Sequence, residues 1–402
     1  MNKGRIFGCL TGCAGLAVAV VVVGAYGWQR TVERIGDPAS ERRPPPAEAM
    51  ALPLGLDSLD GYLEEVRQRH ALPALAAAFG RSDGPLAAGA VGVRRAGSHQ
   101  AIELDDRFHL GSCTKAMTAT LLALSVEAGD LAWSSTLGEV FPDLAAGFAP
   151  AYREVTVEQL LLHRSGLGDD RRPDRQQMAM LRGLTGPLDE QRREALTNIL
   201  AIPPKHPPGR RMEYSNEGYI IAGAVAEAIT GRPWEELLQE RLFAPLGMTS
   251  AGFGPPGTVG AVDQPWGHRE LFGIPLPVGP GPFADNPPVL GPAGTVHATI
   301  LDFLTWGTFH LRGARGEGTL LAKTTFARLH EDSRNQEYAL GWGVKRDSKG
   351  HRTLAHAGSN TAFLAAVRVL PERDLVAVVA TNSGAPRGQD AVREVLEHLT
   401  RE

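Results

Sequence analysis

The chain of 402 residues is long enough to bury a large core or two modest ones. Its composition, 43% hydrophobic and 21% charged with a formal net charge of −4, is that of an ordinary globular protein. No basic stripe indicates nucleic acid, and the motifs His-Glu-x-x-His, Gly-x4-Gly-Lys-Ser/Thr and Cys-x-x-Cys are absent. We therefore expect neither metal nor nucleotide chemistry.

The N-terminal segment, residues 1–30, contains an apolar run at 6–28 that follows two basic residues. Such a run is long enough to span a bilayer, and its basic flank would stay in the cytoplasm and send the rest of the chain outward. We interpret it as an uncleaved signal anchor. Cleavage after Ala25 and lipidation at Cys13 are the alternatives.

Residues 31–52 are charged and proline-rich, which predicts a semi-rigid spacer between the membrane and the following domain. A helix is predicted near 56–69. Two apolar runs, at 72–79 and 86–93, are separated by Arg81-Ser82-Asp83-Gly84 and predict a β-hairpin.

Between about 130 and 290 the pattern is helical and rich in loops, and dense Pro and Gly predict loops alone at 255–292. The helices predicted after residue 111 are 112–128, 157–162, 188–202, 220–229, 299–311 and 385–399. The strands predicted towards the C-terminus are 338–344, 353–357, 361–370 and 375–381. The predicted fold class is α/β plus all-α: an antiparallel sheet flanked by helices, formed by both chain ends, with an all-helical insert.

Ser112-Cys113-Thr114-Lys115 opens the helix predicted at 112–128 and puts a hydroxyl and an amine on one helix face. Serine is a weak nucleophile without a base, and a buried lysine can be that base because desolvation disfavours its charged form. We predict Ser112 as the nucleophile and Lys115 as the base and proton relay. Cys113 lies about 100° round the helix from Ser112 and is expected to be a small core residue.

Two further motifs supply the remaining groups. Tyr214-Ser215-Asn216 adds a phenol and an amide, and Tyr214 is predicted to move protons between Ser112, Lys115 and the leaving group. His356-Ala357-Gly358 lies on a predicted strand and places an imidazole beside a glycine that lets substrate approach the backbone. Together the motifs predict acyl transfer through a covalent serine ester.

The order Ser-x-x-Lys, Tyr-x-Asn, His-x-Gly resembles the serine β-lactamase and penicillin-binding-protein superfamily, over roughly residues 55–400. It is similar in particular to the branch that holds class C β-lactamases, D-alanyl-D-alanine carboxypeptidases and related esterases. Lesser segments are also similar, and they are Leu160–Leu167 (in which His163 is expected to be structural), Pro208-Gly209, Thr230-Gly231 and Pro245–Met248.

The resemblance implies an α/β domain and an α domain with the active site in the cleft between them. It also implies that the Asn216 amide orients Lys115 and binds a substrate carbonyl, and that the N–H groups of Ser112 and Ser359 form an oxyanion hole. The substrate-binding and oxyanion residues predicted in this way are Asn216, His356, Gly358 and Ser359. No cofactor and no metal are expected.

His356 and Ala357 depart from the family's pattern, which usually has a lysine followed by Thr or Ser. Alanine offers no hydroxyl, and histidine is mostly neutral at pH 7. Both changes weaken the binding of a substrate carboxylate, so they favour an ester or amide without a neighbouring carboxylate.

We predict that residues 53–402 form an outward-facing serine hydrolase domain, with the helical insert at about 130–290, acting on a small-molecule or cell-wall-derived ester or amide. A D,D-carboxypeptidase or weak β-lactamase is one alternative; a penicillin-binding sensor or scaffold that never releases its acyl group is another. The membrane is an expected partner through the N-terminal segment, and nucleic acid is not. The predicted location is the bacterial cell envelope, anchored in the inner membrane facing the periplasm or secreted after cleavage.

Overall fold

The helices and strands lie within residues 58–168, 175–281, 283–360 and 362–401, which are the residues that the computed structural model describes. In chain order the helices are α1 (Ser58–Arg69), α2 (Thr114–Ala128), α3 (Leu137–Val140), α4 (Pro150–Arg153), α5 (Val157–Leu161), α6 (Arg175–Gly183), α7 (Leu188–Leu200), α8 (Asn216–Thr230), α9 (Trp234–Leu238), α10 (Ala244–Leu246), α11 (Gly291–Gly294), α12 (Ile300–Arg315), α13 (Lys323–Leu329) and α14 (Pro386–Leu399). The strands are β1 (Ala74–Arg81), β2 (Gly84–Gly92), β3 (Arg107–His109), β4 (Gly252–Phe253), β5 (Gly267–Leu271), β6 (Ile274–Val278), β7 (Val296–Thr299), β8 (Gly343–Arg346), β9 (Arg352–Ser359), β10 (Leu364–Leu370) and β11 (Leu375–Thr381).

The main sheet joins the two ends of the described chain. Its strand order is β2-β1-β11-β10-β9-β8, and every neighbouring pair is antiparallel. The join is the pairing of β1 with β11, which runs from Leu75 opposite Thr381 to Gly80 opposite Val376. The predicted hairpin and the predicted antiparallel sheet flanked by helices are both confirmed.

Side chains of the sheet alternate between two apolar layers, as the pleat requires. On the outer face, alanine, valine and leucine side chains pack beneath α1 and α14. On the inner face, the alternate positions pack against α12 and the helices beyond it. Gly307 lets α12 lie close to the sheet, because a methyl group there would be 2.6 Å from a methyl of Val376.

The helical region is held together partly by a buried ionic network. Arg192 on α7 is fully buried and donates to Glu227 on α8 at 2.9 Å and to Glu235 on α9 at 2.7 Å. Glu227 also accepts the backbone N–H of Trp234 at 2.9 Å. One guanidinium therefore links three helices, and losing it would leave two carboxylates without their counter-charge.

The prediction of loops alone at 255–292 is wrong. This stretch contains the β5–β6 hairpin, and the short strand β4 precedes it, so the predicted insert is not all-helical. Proline and glycine occupy hairpin positions here that a sheet edge tolerates. The strand predicted at 338–344 is also shorter than expected, since only β8 pairs regularly and Tyr338 makes an isolated bridge with Gly343.

The predicted membrane anchor and proline-rich spacer, residues 1–30 and 31–52, lie outside the described residues. None of the helices in the described ranges is long and apolar enough to cross a bilayer.

Candidate active site

Ser112 lies in a 3-10 turn, Gly111–Cys113, that leads directly into the buried helix α2. Thr114 stabilises this turn, because its hydroxyl donates to the Gly111 carbonyl at 2.7 Å and accepts the Val296 N–H at 3.2 Å. The Leu110 N–H donates to the carbonyl of Val296 at 2.8 Å. The sequence predicted a regular helix from Ser112, whereas the structure places this serine just before the α-helix begins.

Lys115 is fully buried one turn further along, and its amine reaches back to the serine. Nζ lies 3.1 Å from Ser112 Oγ, 2.7 Å from Asn216 Oδ1 and 2.7 Å from the Ala293 carbonyl oxygen. The predicted nucleophile, base and amide therefore meet at the Lys115 Nζ atom, although Asn216 is 101 residues away from Lys115 in the sequence.

Tyr214, Ser215 and Asn216 form the start of α8. Ser215 caps this helix by accepting the N–H of Gly218 at 3.2 Å, which satisfies a backbone donor of the first turn. The Tyr214 ring then lies over Lys115, with Nζ 4.9 Å from the ring centroid. Helix α8 begins four residues earlier than predicted because the cap makes Asn216 its first residue.

His163 contacts both Ser215 and Tyr214 of this motif, in agreement with the structural role expected of it. Its Nδ1 accepts the Ser215 N–H at 3.0 Å, so the ring proton of the neutral imidazole is on Nε2, which donates to the Tyr338 hydroxyl at 3.2 Å. Its ring is also 4.4 Å from the ring of Tyr214, centroid to centroid. Tyr338 was missed at the sequence level because it looked like one apolar member of a strand.

His356 completes this chain of polar groups on the inner face of β9. Its Nε2 lies 3.4 Å from the Tyr338 hydroxyl and its Nδ1 lies 2.9 Å from the Ala357 carbonyl oxygen. Burial, followed by the charge of Lys115, lowers the pKa of His356 to about 3. The imidazole is therefore neutral at physiological pH and supplies no cation to the candidate site.

Ala357 faces the other side of the sheet. Strand alternation turns its methyl group away from His356 and into the outer apolar layer, which also contains Ala366, its partner across the sheet. A hydroxyl at this position would not line the inner face. The inference of weaker carboxylate binding therefore rests on the neutral His356 alone.

Gly111 and Gly358 bring the serine turn against the end of β9. A methyl group on Gly358 would lie 2.0 Å from the Leu110 carbonyl oxygen and 2.5 Å from the Ser112 nitrogen. A methyl group on Gly111, where φ is +50°, would lie 2.3 Å from the Ser359 nitrogen. Only glycine permits this approach, which places the backbone nitrogens of Ser112 and Ser359 beside each other.

Cys113 is confirmed as a buried core residue. Its Sγ is 3.7 Å from the His356 carbonyl oxygen, and burial raises the pKa of the thiol, so it is not a reactive thiolate. Among the described residues, no group of three or more His, Cys, Asp or Glu side chains could hold a metal ion.

Comparison with known proteins identifies the family to which the chain belongs. The sequence pattern of the Beta-lactamase family matches residues 59–402. Penicillin-binding protein 4 of Amycolatopsis lactamdurans is 30% identical over 352 residues, which cover 84% of this chain and 88% of that protein. Lovastatin esterase of Penicillium rubens is 30% identical over 172 residues, 40% of this chain and 42% of the esterase.

The fold is shared with a solved structure. The penicillin-binding protein of Bacillus halodurans superposes with a TM-score of 0.67 at 23% identity, covering 84% of this chain and 99% of that one. The match of the family pattern to most of the chain, together with the bacterial relative of nearly equal length, settles the classification. The chain belongs to the Beta-lactamase family and is a serine hydrolase.

Proposed function

We propose that the protein hydrolyses an ester or amide outside the cytoplasm, through an acyl-enzyme on Ser112. The observation that carries the proposal is the 3.1 Å distance from Lys115 Nζ to Ser112 Oγ, with the lysine fully buried. A buried amine loses the hydration that stabilises its charge, which favours its use as a base.

The three oxygens around Lys115 suit both of its protonation states. A neutral amine has two N–H bonds for Asn216 Oδ1 and the Ala293 carbonyl, and a lone pair that accepts the Ser112 proton. After the proton has moved, the ammonium has three donors for the same three oxygens. Tyr214, whose ring lies over Nζ, gives its phenol proton to the leaving group and takes one from the Lys115 ammonium, so that both groups return to their starting states. Water then hydrolyses the acyl-enzyme.

The N–H groups of Ser112 and Ser359 are proposed to form the oxyanion hole. Their nitrogens are held beside each other by the close approach of Gly111 and Gly358. Donors fixed before the reaction stabilise the developing negative charge without reorganisation, and losing one such donor commonly costs about 10²–10³-fold in kcat.

The substrate class follows from the charge of the cleft. Because His356 is neutral, this position lacks the cation that would bind a carboxylate next to the scissile bond. We therefore favour a substrate without that carboxylate, and the likeness to an esterase supports this choice. Hydrolysis of D-Ala-D-Ala peptides or of β-lactams is the alternative within the class, and the likeness to a penicillin-binding protein supports it.

The test of the nucleophile is covalent labelling. The protein is incubated with a fluorophosphonate, and the modified residue is mapped by mass spectrometry. We expect the adduct on Ser112 and none in Ser112→Ala. An adduct on Ser82, in the turn between β1 and β2, or on Cys113, next to the proposed nucleophile, with Ser112 unmodified would contradict the mechanism.

The test of the substrate is a panel of chromogenic esters, a chromogenic cephalosporin and a D-Ala-D-Ala peptide. We expect the highest kcat/KM on an ester. Faster turnover of the cephalosporin or the peptide would assign the alternative activity. A single burst of one equivalent without further turnover would assign a sensor or scaffold.

The N-terminal run at 6–28 is proposed to hold the protein at the membrane with the domain outside. An anchored protein keeps its N-terminus and stays in the membrane pellet after a carbonate wash. A mature N-terminus at Tyr26 and protein free in the periplasm would replace the anchor by a cleaved signal. Protein confined to the cytoplasm would contradict the outward orientation.

A further inference from the structure

A second polar cluster lies beside the serine turn and takes no part in the proton relay. His109, the last residue of β3, is fully buried, and its Nε2 lies 2.8 Å from Oδ2 of the buried Asp285. Oδ1 of the same carboxylate accepts from the Asn360 amide at 3.2 Å. Neither His109 nor Asp285 belongs to a motif that the sequence brings to attention.

We propose that Asp285, with His109 and Asn360, positions the two N–H groups of the oxyanion hole relative to each other. The proposal rests on the function proposed above. These three are positioning residues, because they act through the backbone around them and not on the substrate.

The proton positions follow from the donors. The Gly111 N–H donates to His109 Nδ1 at 3.0 Å, so Nδ1 carries no proton. The ring proton is therefore on Nε2 and is donated to Asp285. In this tautomer the imidazole holds the backbone of Gly111, the residue immediately before Ser112, at a position set by the carboxylate.

The other arm of the cluster holds the end of β9. Asn360 follows Ser359 directly, and its Oδ1 accepts the N–H groups of Ala362 at 3.2 Å and Phe363 at 3.0 Å. Its amide nitrogen donates to Asp285. One carboxylate thus fixes the backbone on both sides of the proposed oxyanion hole, Gly111 on one and Asn360 on the other.

Direct recognition of substrate by Asp285 fits the contacts less well. Its side chain is only 5% exposed. Its oxygens already accept from His109, Asn360 and the N–H of Asn286, the last at 2.7 Å. A substrate amine would have to displace one of these donors.

The first variant is Asp285→Asn, which keeps the shape of the side chain. One oxygen becomes an NH2 group that must face either the His109 Nε2–H or the donors of Asn360 and Asn286. We expect kcat on a chromogenic ester to fall about 10- to 100-fold with KM within about threefold of wild type, since about 1 Å of misplacement can cost 10²-fold. The affinity for an arylboronic acid, whose tetrahedral serine adduct places an oxygen in the hole, should fall by the same factor as kcat/KM.

The rescue is an exchange of the two side chains. Asn360→Asp keeps the oxygen that accepts Ala362 and Phe363 but faces Asp285 with a second carboxylate, so it should lose activity like Asp285→Asn. The double variant Asp285→Asn/Asn360→Asp restores one donor opposite one acceptor between positions 285 and 360, and of the three donors around Asp285 only the N–H of Asn286 loses its acceptor. We expect it to recover to within about fivefold of wild type in both kcat and boronate affinity.

The control is Asp302→Asn, in which a carboxylate that holds Ser250 to the start of α12 is changed in the same way. It should leave kcat and boronate affinity within about twofold of wild type. The proposal is overturned if Asp285→Asn keeps boronate affinity, or if activity falls only in proportion to the folded fraction seen by thermal melting. If Asp285→Asn does not fold, Asn360→Asp and the exchanged pair decide the question. Failure of the proposed function itself would be visible in the wild-type protein, as absence of turnover and of a Ser112 adduct.

Discussion

Gly358→Ala is the most direct test of how the active site is assembled. The new methyl group would lie 2.0 Å from the Leu110 carbonyl oxygen, whereas ordinary contacts begin at 3.4 Å. The difference, 3.4 − 2.0, is about 1.4 Å. The atoms in the way belong to the backbone of the serine turn and cannot move aside as a flexible side chain would, so β9 and the turn must separate.

A displacement of this size acts on both proposed oxyanion donors. Misplacement by about 1 Å can cost 10²-fold, and loss of one oxyanion donor costs about 10²–10³-fold. We therefore expect kcat/KM for a chromogenic ester to fall about 10²- to 10³-fold in Gly358→Ala. The fold should survive, since overpacking at one site typically costs about 1–3 kcal/mol.

Two glycine variants serve as matched controls, assayed by initial rates on the same ester and by thermal melting. In Gly294→Ala the methyl group would lie 3.4 Å from the backbone of Gly111, an ordinary contact on the same turn. In Gly61→Ala, within α1, it would meet nothing within 4 Å, and the helix should gain up to about 1 kcal/mol. Activity of Gly358→Ala within fivefold of wild type, or an equal loss in Gly294→Ala, would refute the reasoning.

Three further outcomes are expected. Lys115→Ala and Tyr214→Phe should each lower kcat by at least about 10²-fold, and the double variant should lose far less than the product of the two, because the groups pass the same proton. Arg192→Leu should lower the free energy of unfolding in urea by about 3–5 kcal/mol, because two carboxylates lose their counter-charge. The free energy of unfolding should also fall as the pH drops from about 6.5 to 4, because the imidazoles bind protons in the unfolded chain but stay neutral when buried in the folded protein. Each such imidazole contributes up to about 1.4 kcal/mol per pH unit. The imidazoles whose pKa burial lowers, to about 4 in the first two and about 3 in the others, are those of His268, His297, His330 and His356.

A specific result would contradict each of these predictions. Near-native turnover in Lys115→Ala would remove the lysine from the relay. An Arg192→Leu protein as stable as wild type would mean that hydrophobic packing replaces the network. His268 accepts the Ala96 N–H at Nε2, so its imidazole is neutral in the folded protein. The variant His268→Gln should therefore reduce the pH dependence of the free energy of unfolding. An unchanged slope would assign that dependence to other groups.

The sequence by itself predicted the serine-hydrolase class and most of the architecture. Ser112 and Lys115 are three residues apart, so any helix brings them to one face, and helix geometry alone predicts the contact of Nζ with Oγ. The apolar runs of β1, β10 and β11 are visible in the sequence, so a sheet formed by both ends of the chain could be predicted from them. Local pattern is sufficient wherever the contacts that decide a structure are close in sequence.

Only the tertiary structure decided the contacts that join distant segments. Ala357 was assigned to the cleft from its place in a motif, but the register of β9 with β10 turns it to the other face. Tyr338 and Asp285 lie in stretches without a recognisable pattern, and only folding places them against His356 and His109. Such polar groups form hydrogen bonds between segments that are far apart in the sequence, so no periodic pattern along the chain predicts the pairs. Burial then determines whether each group is charged.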